Sequence, residues 1–193
     1  MEMIYSYKNR KAFIIKRVIV PVLAIISLLY ACNPSSSDSK LNSADDLEKT
    51  STFAFSDTLK LDTFKVALVG KDSKDMQLLF TIKSFEGKEI YRQEIQTSEL
   101  LKNYLATSEM KKESDKIKFL KEEIAYFFDE KHFLEPAVTP DEQADKNVPD
   151  KAFYEELKKS GLNGFDYRLG KDSNVYIAWS PKDQKVKAYY KCC

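Results

Sequence analysis

The sequence has 193 residues, of which 31 are Lys or Arg and 30 are Asp or Glu, so its formal net charge at neutral pH is +1. The first 31 residues hold five basic and one acidic residue; the rest of the chain, with 26 basic and 29 acidic residues, carries about −3. Because binding to nucleic-acid phosphates needs clustered, uncompensated Lys and Arg, we expect no nucleic-acid partner.

The N-terminal residues have the order of a secretory signal. A basic stretch from residue 8 to 17 precedes an apolar run from residue 18 to 30, which is too short to span a bilayer core of about 30 Å. The run ends in Leu29-Tyr30-Ala31-Cys32. This ending resembles the lipobox of bacterial lipoproteins, although Tyr30 stands where a small residue is usual.

The lipobox resemblance implies that residues 1–31 are a signal peptide and that Cys32 receives diacylglycerol and becomes the first residue of the mature protein. The protein would then lie in the cell envelope, with membrane lipid as its partner through Cys32. Asn33 follows, so the Asp that retains some lipoproteins in the inner membrane is absent, and we expect the outer membrane of a Gram-negative bacterium. The alternatives are a plain secretory peptide cleaved near Ala31 and an uncleaved, membrane-tethered N-terminus.

The composition divides the mature chain into two parts. Residues 32–52 are rich in Ser, Asn, Asp and Lys, and such a segment cannot bury enough apolar surface to order itself, so we expect a flexible tether. Residues 53–193 are expected to form a single globular domain. As a whole, this body resembles uncharacterised lipoproteins of Gram-negative envelopes that end in a tyrosine-rich strand and paired cysteines.

Hydrophobic periodicity predicts an α+β fold. Period-two alternation and turn residues predict two three-stranded antiparallel meanders, with a bulge or bend near Thr63 in the first strand. About three helices are inserted between the meanders: one capped by Ser98, one starting near Ser114, and one capped by Asp150 and ended by Gly161. The pattern alone does not settle whether both meanders share one sheet, but burying these helices is easiest on one face of a continuous antiparallel sheet. The predicted strands cover residues 57–69, 76–85, 89–96, 165–169, 175–180 and 186–191.

The side chains that could carry catalysis are few. There is no nucleophile elbow and no glycine-rich phosphate loop, and the single histidine, His132, is expected to have a structural role at a helix end. The carboxylate pairs Glu122 with Glu123 and Asp141 with Asp145 lack the frame of a calcium loop or an acid-base pair. We therefore expect no enzyme, no cofactor and no metal site.

The adjacent Cys192 and Cys193 leave three interpretations open: a strained disulfide between neighbours, exposed thiols or an interchain bridge, and redox or soft-metal chemistry. Their position directly after the last predicted strand, without the two-residue spacer of a redox motif, favours a structural role.

The last meander also contains aromatic side chains that suit a recognition surface, for which we select Tyr176, Trp179 and Tyr189, with core packing as the alternative. The sequence thus favours a non-enzymatic binding or structural module with an unknown protein or glycan partner. The alternatives are a thiol or soft-metal protein acting through Cys192 and Cys193, and a lipoprotein similar to lysozyme inhibitors.

Overall fold

The computed structural model describes residues 47–70, 75–102, 104, 110–170 and 172–192. The predicted signal peptide and Cys32 lie outside the described residues. The elements in chain order are β1 (Glu48–Ala54), β2 (Leu61–Val69), β3 (Gln77–Lys83), β4 (Glu89–Gln96), α1 (Thr97–Leu101), α2 (Glu113–Tyr126), a short 3-10 helix (Glu130–His132), β5 (Phe133–Leu134), α3 (Lys151–Ser160), β6 (Gly164–Gly170), β7 (Ser173–Ser180) and β8 (Lys185–Cys192).

The described strands form two antiparallel four-stranded sheets, in the orders β1-β2-β3-β4 and β5-β6-β7-β8. The α+β class is therefore confirmed, whereas the predicted three-stranded meanders differ from the structure, in which β2-β3-β4 and β6-β7-β8 are each part of a four-stranded sheet. The structure answers a question that the sequence left open: the two groups of strands do not share one sheet, and each sheet has one further strand at its edge. The added strand β5 has only two residues, which is too short to leave a periodic pattern in the sequence.

The added strand β1 corrects the boundary of the predicted tether. Residues 48–52 belong to this strand, which pairs with β2 from Glu48 opposite Ala67 to Ala54 opposite Leu61. The polar composition of this segment indicated disorder because it holds little apolar surface. Its backbone hydrogen bonds to β2 give it order that composition does not reveal.

The segment before β2 differs from the predicted bulged strand. Pairing of β2 with β1 is continuous from Leu61 to Ala67, and pairing with β3 begins at Thr63 without a register shift, so no bulge lies there. Leu59 and Leu61 are 90 % and 57 % exposed, and residues 55–60 form a loop. Asp57 fixes this loop, because its Oδ1 accepts hydrogen bonds from the backbone N–H groups of Leu59 and Lys60 at 2.8 and 3.1 Å.

The helices follow the sequence signals to different degrees. The helix α3 has both predicted caps: Asp150 Oδ1 accepts a hydrogen bond from Phe153 N at 3.0 Å, and Gly161 ends the helix at φ +62°. The helix α2 begins at Glu113, beside the predicted start. The cap predicted at Ser98 is wrong, because α1 begins one residue earlier at Thr97, whose hydroxyl donates to Met76 O at 2.7 Å.

Two apolar clusters hold the fold together. The larger cluster combines one face of each sheet with the apolar side of α2, and Phe64, Phe80, Phe165 and Ile177 are fully buried within it. The smaller cluster lies on the opposite face of the second sheet, where α3 and the segment from residue 137 to 148 cover it. The second sheet is therefore buried on both faces, and its second face positions the candidate site.

Candidate functional site

A bulge in the last strand brings two consecutive tyrosines to the same face of the second sheet. Tyr176 of β7 pairs with Tyr190, and the next residue, Ile177, pairs with Ala188, so Tyr189 is an extra residue on β8. In a regular strand, neighbouring side chains point to opposite faces. The bulge removes that alternation, so Tyr189 and Tyr190 both pack in the smaller cluster.

These tyrosines line a cavity of about 540 Å³, which we call the tyrosine pocket. Its walls come from β8, β7, α3 and the segment that follows the 3-10 helix. It is lined by four tyrosines, three carboxylates and six further residues: Tyr154, Tyr176, Tyr189, Tyr190, Glu135, Glu142, Asp145, Phe133, Leu134, Pro136, Ala137, Thr139 and Gln143. Its volume lies in the range of roughly 300–1,000 Å³ that is typical of small-molecule sites.

Tyr189 forms the floor of the tyrosine pocket. It is 2 % exposed, and its hydroxyl donates to Ala137 O at 2.9 Å. Gly164 of β6 makes this approach possible, because a Cβ at that position would lie 2.9 Å from both Ala137 Cβ and Tyr189 Oη. The glycine therefore lets the segment at Ala137 pack directly on β6.

Tyr190 is held at the rim by a small polar network. Its hydroxyl donates to Asp145 Oδ2 at 3.0 Å and accepts from Asn147 Nδ2 at 3.1 Å. Tyr176 contacts Tyr189 and Tyr190 edge to face, with ring centroids 6.1 and 5.3 Å apart. The aromatic walls are thus fixed by the fold itself.

The electrostatic character of the tyrosine pocket is acidic. Glu135, Glu142 and Asp145 are exposed at its rim, and no Lys or Arg is among the described residues that line it. Burial raises the pKa of the Tyr154 phenol, and the charges of Glu142 and Asp145 raise that pKa further. Burial also raises the pKa of Tyr189, with nearby carboxylates acting in the same direction. Both phenols are therefore neutral at physiological pH.

A second cavity, of about 310 Å³, contains His132. His132 Nδ1 lies 3.2 Å from Asp166 Oδ2, and Arg168 Nη2 lies 2.6 Å from Glu123 Oε2. The place of Glu123 on the charged face of a helix predicted a side chain directed into solvent. In the structure it is instead paired with Arg168. The imidazole and the guanidinium already have carboxylate partners, so we assign both pairs a structural role. The His132–Asp166 pair connects the 3-10 helix to β6, and the Glu123–Arg168 pair connects α2 to β6.

The structure places the predicted recognition residues on opposite faces of the second sheet. Tyr176 and Tyr189 line the tyrosine pocket, but the nearly complete burial of Tyr189 makes it a pocket floor instead of an exposed contact. Trp179 packs against the larger cluster on the other face, so it does not belong to the same surface. Side chains alternate between the two faces of a strand, so Trp179, three residues after Tyr176 in β7, lies on the opposite face.

Of the two C-terminal cysteines, Cys192 lies at the end of the same sheet. Cys192 is half-buried in the last position of β8, opposite Asn174, and Cys193 lies outside the described residues. In the described part of the chain, no three His, Cys, Asp or Glu side chains are grouped so that they could hold a metal ion. None of the helices within the described ranges is both long and apolar enough to cross a membrane.

Sequence reasoning missed the acidic rim and Tyr154. Glu135 and Glu142 lie in a proline-containing segment that the sequence identifies only as a surface loop, and Tyr154 reads as a core residue of an amphipathic helix. A signal was present in the density of acids between residues 135 and 149, but nothing in the pattern connects that segment to β8. The hydrogen bond from Lys191 N to Asn147 O makes that connection.

Comparisons with known proteins add no family to this description. No protein-family model matches the sequence, and comparison with curated proteins and with solved structures finds no similar protein.

Proposed function

We propose that the chain is an envelope lipoprotein whose folded body is a non-enzymatic binding module, with the tyrosine pocket as its ligand site. The observation that supports this function best is the pocket itself, in which four tyrosines and three carboxylates converge on about 540 Å³. Aromatic walls with a few polar groups at the rim are typical of recognition sites.

The rigidity of the tyrosine pocket supports a binding role. Tyr189 is fixed by Ala137 O, and Tyr190 is fixed by Asp145 and Asn147. A ligand would therefore meet side chains that are already ordered, which lowers the entropy cost of binding. The pocket lies on one side of the body, and the proposed tether after Cys32 would hold this body near the membrane surface.

A thermal-shift panel tests the binding function. A ligand at about 100 times its Kd stabilises the folded state by about 2.7 kcal/mol, so it raises the Tm by several degrees. We expect at least one of three probe classes, neutral oligosaccharides, alkylamines and dicarboxylates, to raise the Tm of the full-length protein in non-ionic detergent. Tyr176→Ala should abolish that shift.

The matched control is Tyr126→Ala, which removes an exposed tyrosine that lines the smaller cavity. This variant should retain the shift. If the shift survives in Tyr176→Ala but disappears in Tyr126→Ala, the ligand site is the cavity that contains His132, and our assignment of the tyrosine pocket is wrong.

A further inference from the structure

We propose that the tyrosine pocket binds an organic cation, an ammonium or guanidinium group on an aliphatic stem, as in the side chain of a peptide lysine or in a free alkylamine. This inference rests on the proposed function of the pocket and specifies its ligand.

The first observation is the uncompensated negative charge. Glu135, Glu142 and Asp145 line the tyrosine pocket together, and none of the described salt bridges involves any of the three. Asp145 accepts hydrogen bonds from neutral groups only, namely Tyr190 and the backbone and side chain of Asn147. The rim therefore presents a field that attracts a cation.

The second observation is a tyrosine hydroxyl that makes no hydrogen bond among the described residues. Tyr154 is 5 % exposed, and its side chain makes no hydrogen bond to any described residue. Tyr154 lines the tyrosine pocket, and its hydroxyl is not among the described side-chain polar atoms that are fully buried without a partner. This hydroxyl can accept a hydrogen bond from an N–H donor of a ligand.

The third observation is the arrangement of the aromatic rings. Tyr176 is perpendicular to Tyr190, with an interplanar angle of 89°, and both rings line the pocket. The face of a tyrosine ring attracts a cation, and the apolar parts of Tyr176 and Pro136 suit the aliphatic stem that carries it. Neutral sugars also stack on aromatic rings, but they carry no charge that could interact with the carboxylates of the rim.

Titration calorimetry of the full-length protein in non-ionic detergent tests the inference. The probes are Nα-acetyl-lysine methylamide and 1,5-diaminopentane, and the matched neutral probe is Nα-acetyl-norleucine methylamide, which has the stem without the ammonium group. We expect both amines to bind at least about tenfold more tightly than the norleucine probe. Raising the NaCl concentration from 50 to 300 mM should weaken amine binding several-fold.

The variants locate the charge that is responsible. Glu142→Gln keeps the shape of the side chain but removes its charge, and it should weaken amine binding about fivefold. Glu86→Gln removes an exposed carboxylate in the turn between β3 and β4, and it should leave amine binding unchanged. If the peptide-like lysine probe binds more tightly than the diamine, a protein partner is the source of the cation; the reverse order indicates a free amine.

Two results would overturn the inference. Equal affinities for the lysine and norleucine probes would show that the ammonium group is not recognised. Equal effects of Glu142→Gln and Glu86→Gln would show that the pocket charge is not involved. If instead the thermal-shift panel finds a neutral sugar that binds through Tyr176, the proposed binding function stands and the cationic ligand is wrong.

Discussion

Replacing Asp62 with Ala is expected to destabilise the folded domain by about 3 kcal/mol, because each buried donor left without a partner costs about 1–3 kcal/mol. Asp62 is fully buried, and its carboxylate accepts hydrogen bonds from Ser56 N at 2.5 Å, Ser56 Oγ at 3.0 Å and Phe85 N at 2.8 Å. It therefore joins the loop before β2 to the turn after β3. A loss of this size should lower the Tm by roughly 6–12 °C in a domain of this length.

The control for this prediction is Asp57→Ala in the same loop. Asp57 also accepts two backbone hydrogen bonds, from Leu59 and Lys60, but these groups are exposed and water can replace the carboxylate. We expect its Tm to stay close to that of the native protein. Equal Tm values for Asp62→Ala and Asp57→Ala would contradict the role that we assign to buried Asp62.

Cys32→Ser is expected to abolish lipid attachment. Each buried methylene of an acyl chain contributes about 0.8 kcal/mol to membrane binding, so a protein with two or three chains stays in the membrane fraction where an unmodified one does not. In cells that produce the protein naturally, an alkyne analogue of palmitate added to the growth medium should label the native chain. The label should be absent from Cys32→Ser, and this variant should be released from membranes by carbonate washing.

The double variant Cys192→Ser/Cys193→Ser is the matched control, because it removes the other two thiols and leaves Cys32 in place. It should retain both the label and the membrane location. Loss of the label from the control together with retention in Cys32→Ser would overturn the lipobox interpretation.

The parts of the fold that could be predicted are those set by local chemistry. Asp150 and Gly161 act through their nearest neighbours in the chain, so the ends of α3 are visible in the sequence. The predicted end of the tether at residue 52 was wrong because the order of this segment does not come from its immediate neighbours in the chain. Residues 48–52 are ordered by backbone pairing to β2, which does not depend on their side chains. Local composition does not report the backbone hydrogen bonds that a polar segment forms with the next strand.

The candidate site was predictable only in part. Tyr176 and Tyr189 were identified as aromatic residues of the last meander, and both line the tyrosine pocket. Their geometry depends on the bulge in β8, which breaks the alternation that sequence reasoning assumes. Asp145 was considered only as part of a calcium loop or an acid-base pair, whereas it accepts a hydrogen bond from Tyr190, which is 45 residues away in the chain. A contact between residues so far apart in the chain depends on the fold topology and cannot be predicted from local sequence patterns.

The central claim is that the tyrosine pocket binds the ligand of this protein, and photo-crosslinking in the native cells tests it most directly. Gln143 lines the pocket and is exposed, so we would replace it with p-benzoylphenylalanine and use the exposed Gln96 at the end of β4 as the control position. We predict a light-dependent adduct from position 143 that is lost when Tyr176→Ala is added, and no such adduct from position 96. An adduct that forms equally at both positions, or that persists in Tyr176→Ala, would contradict the claim.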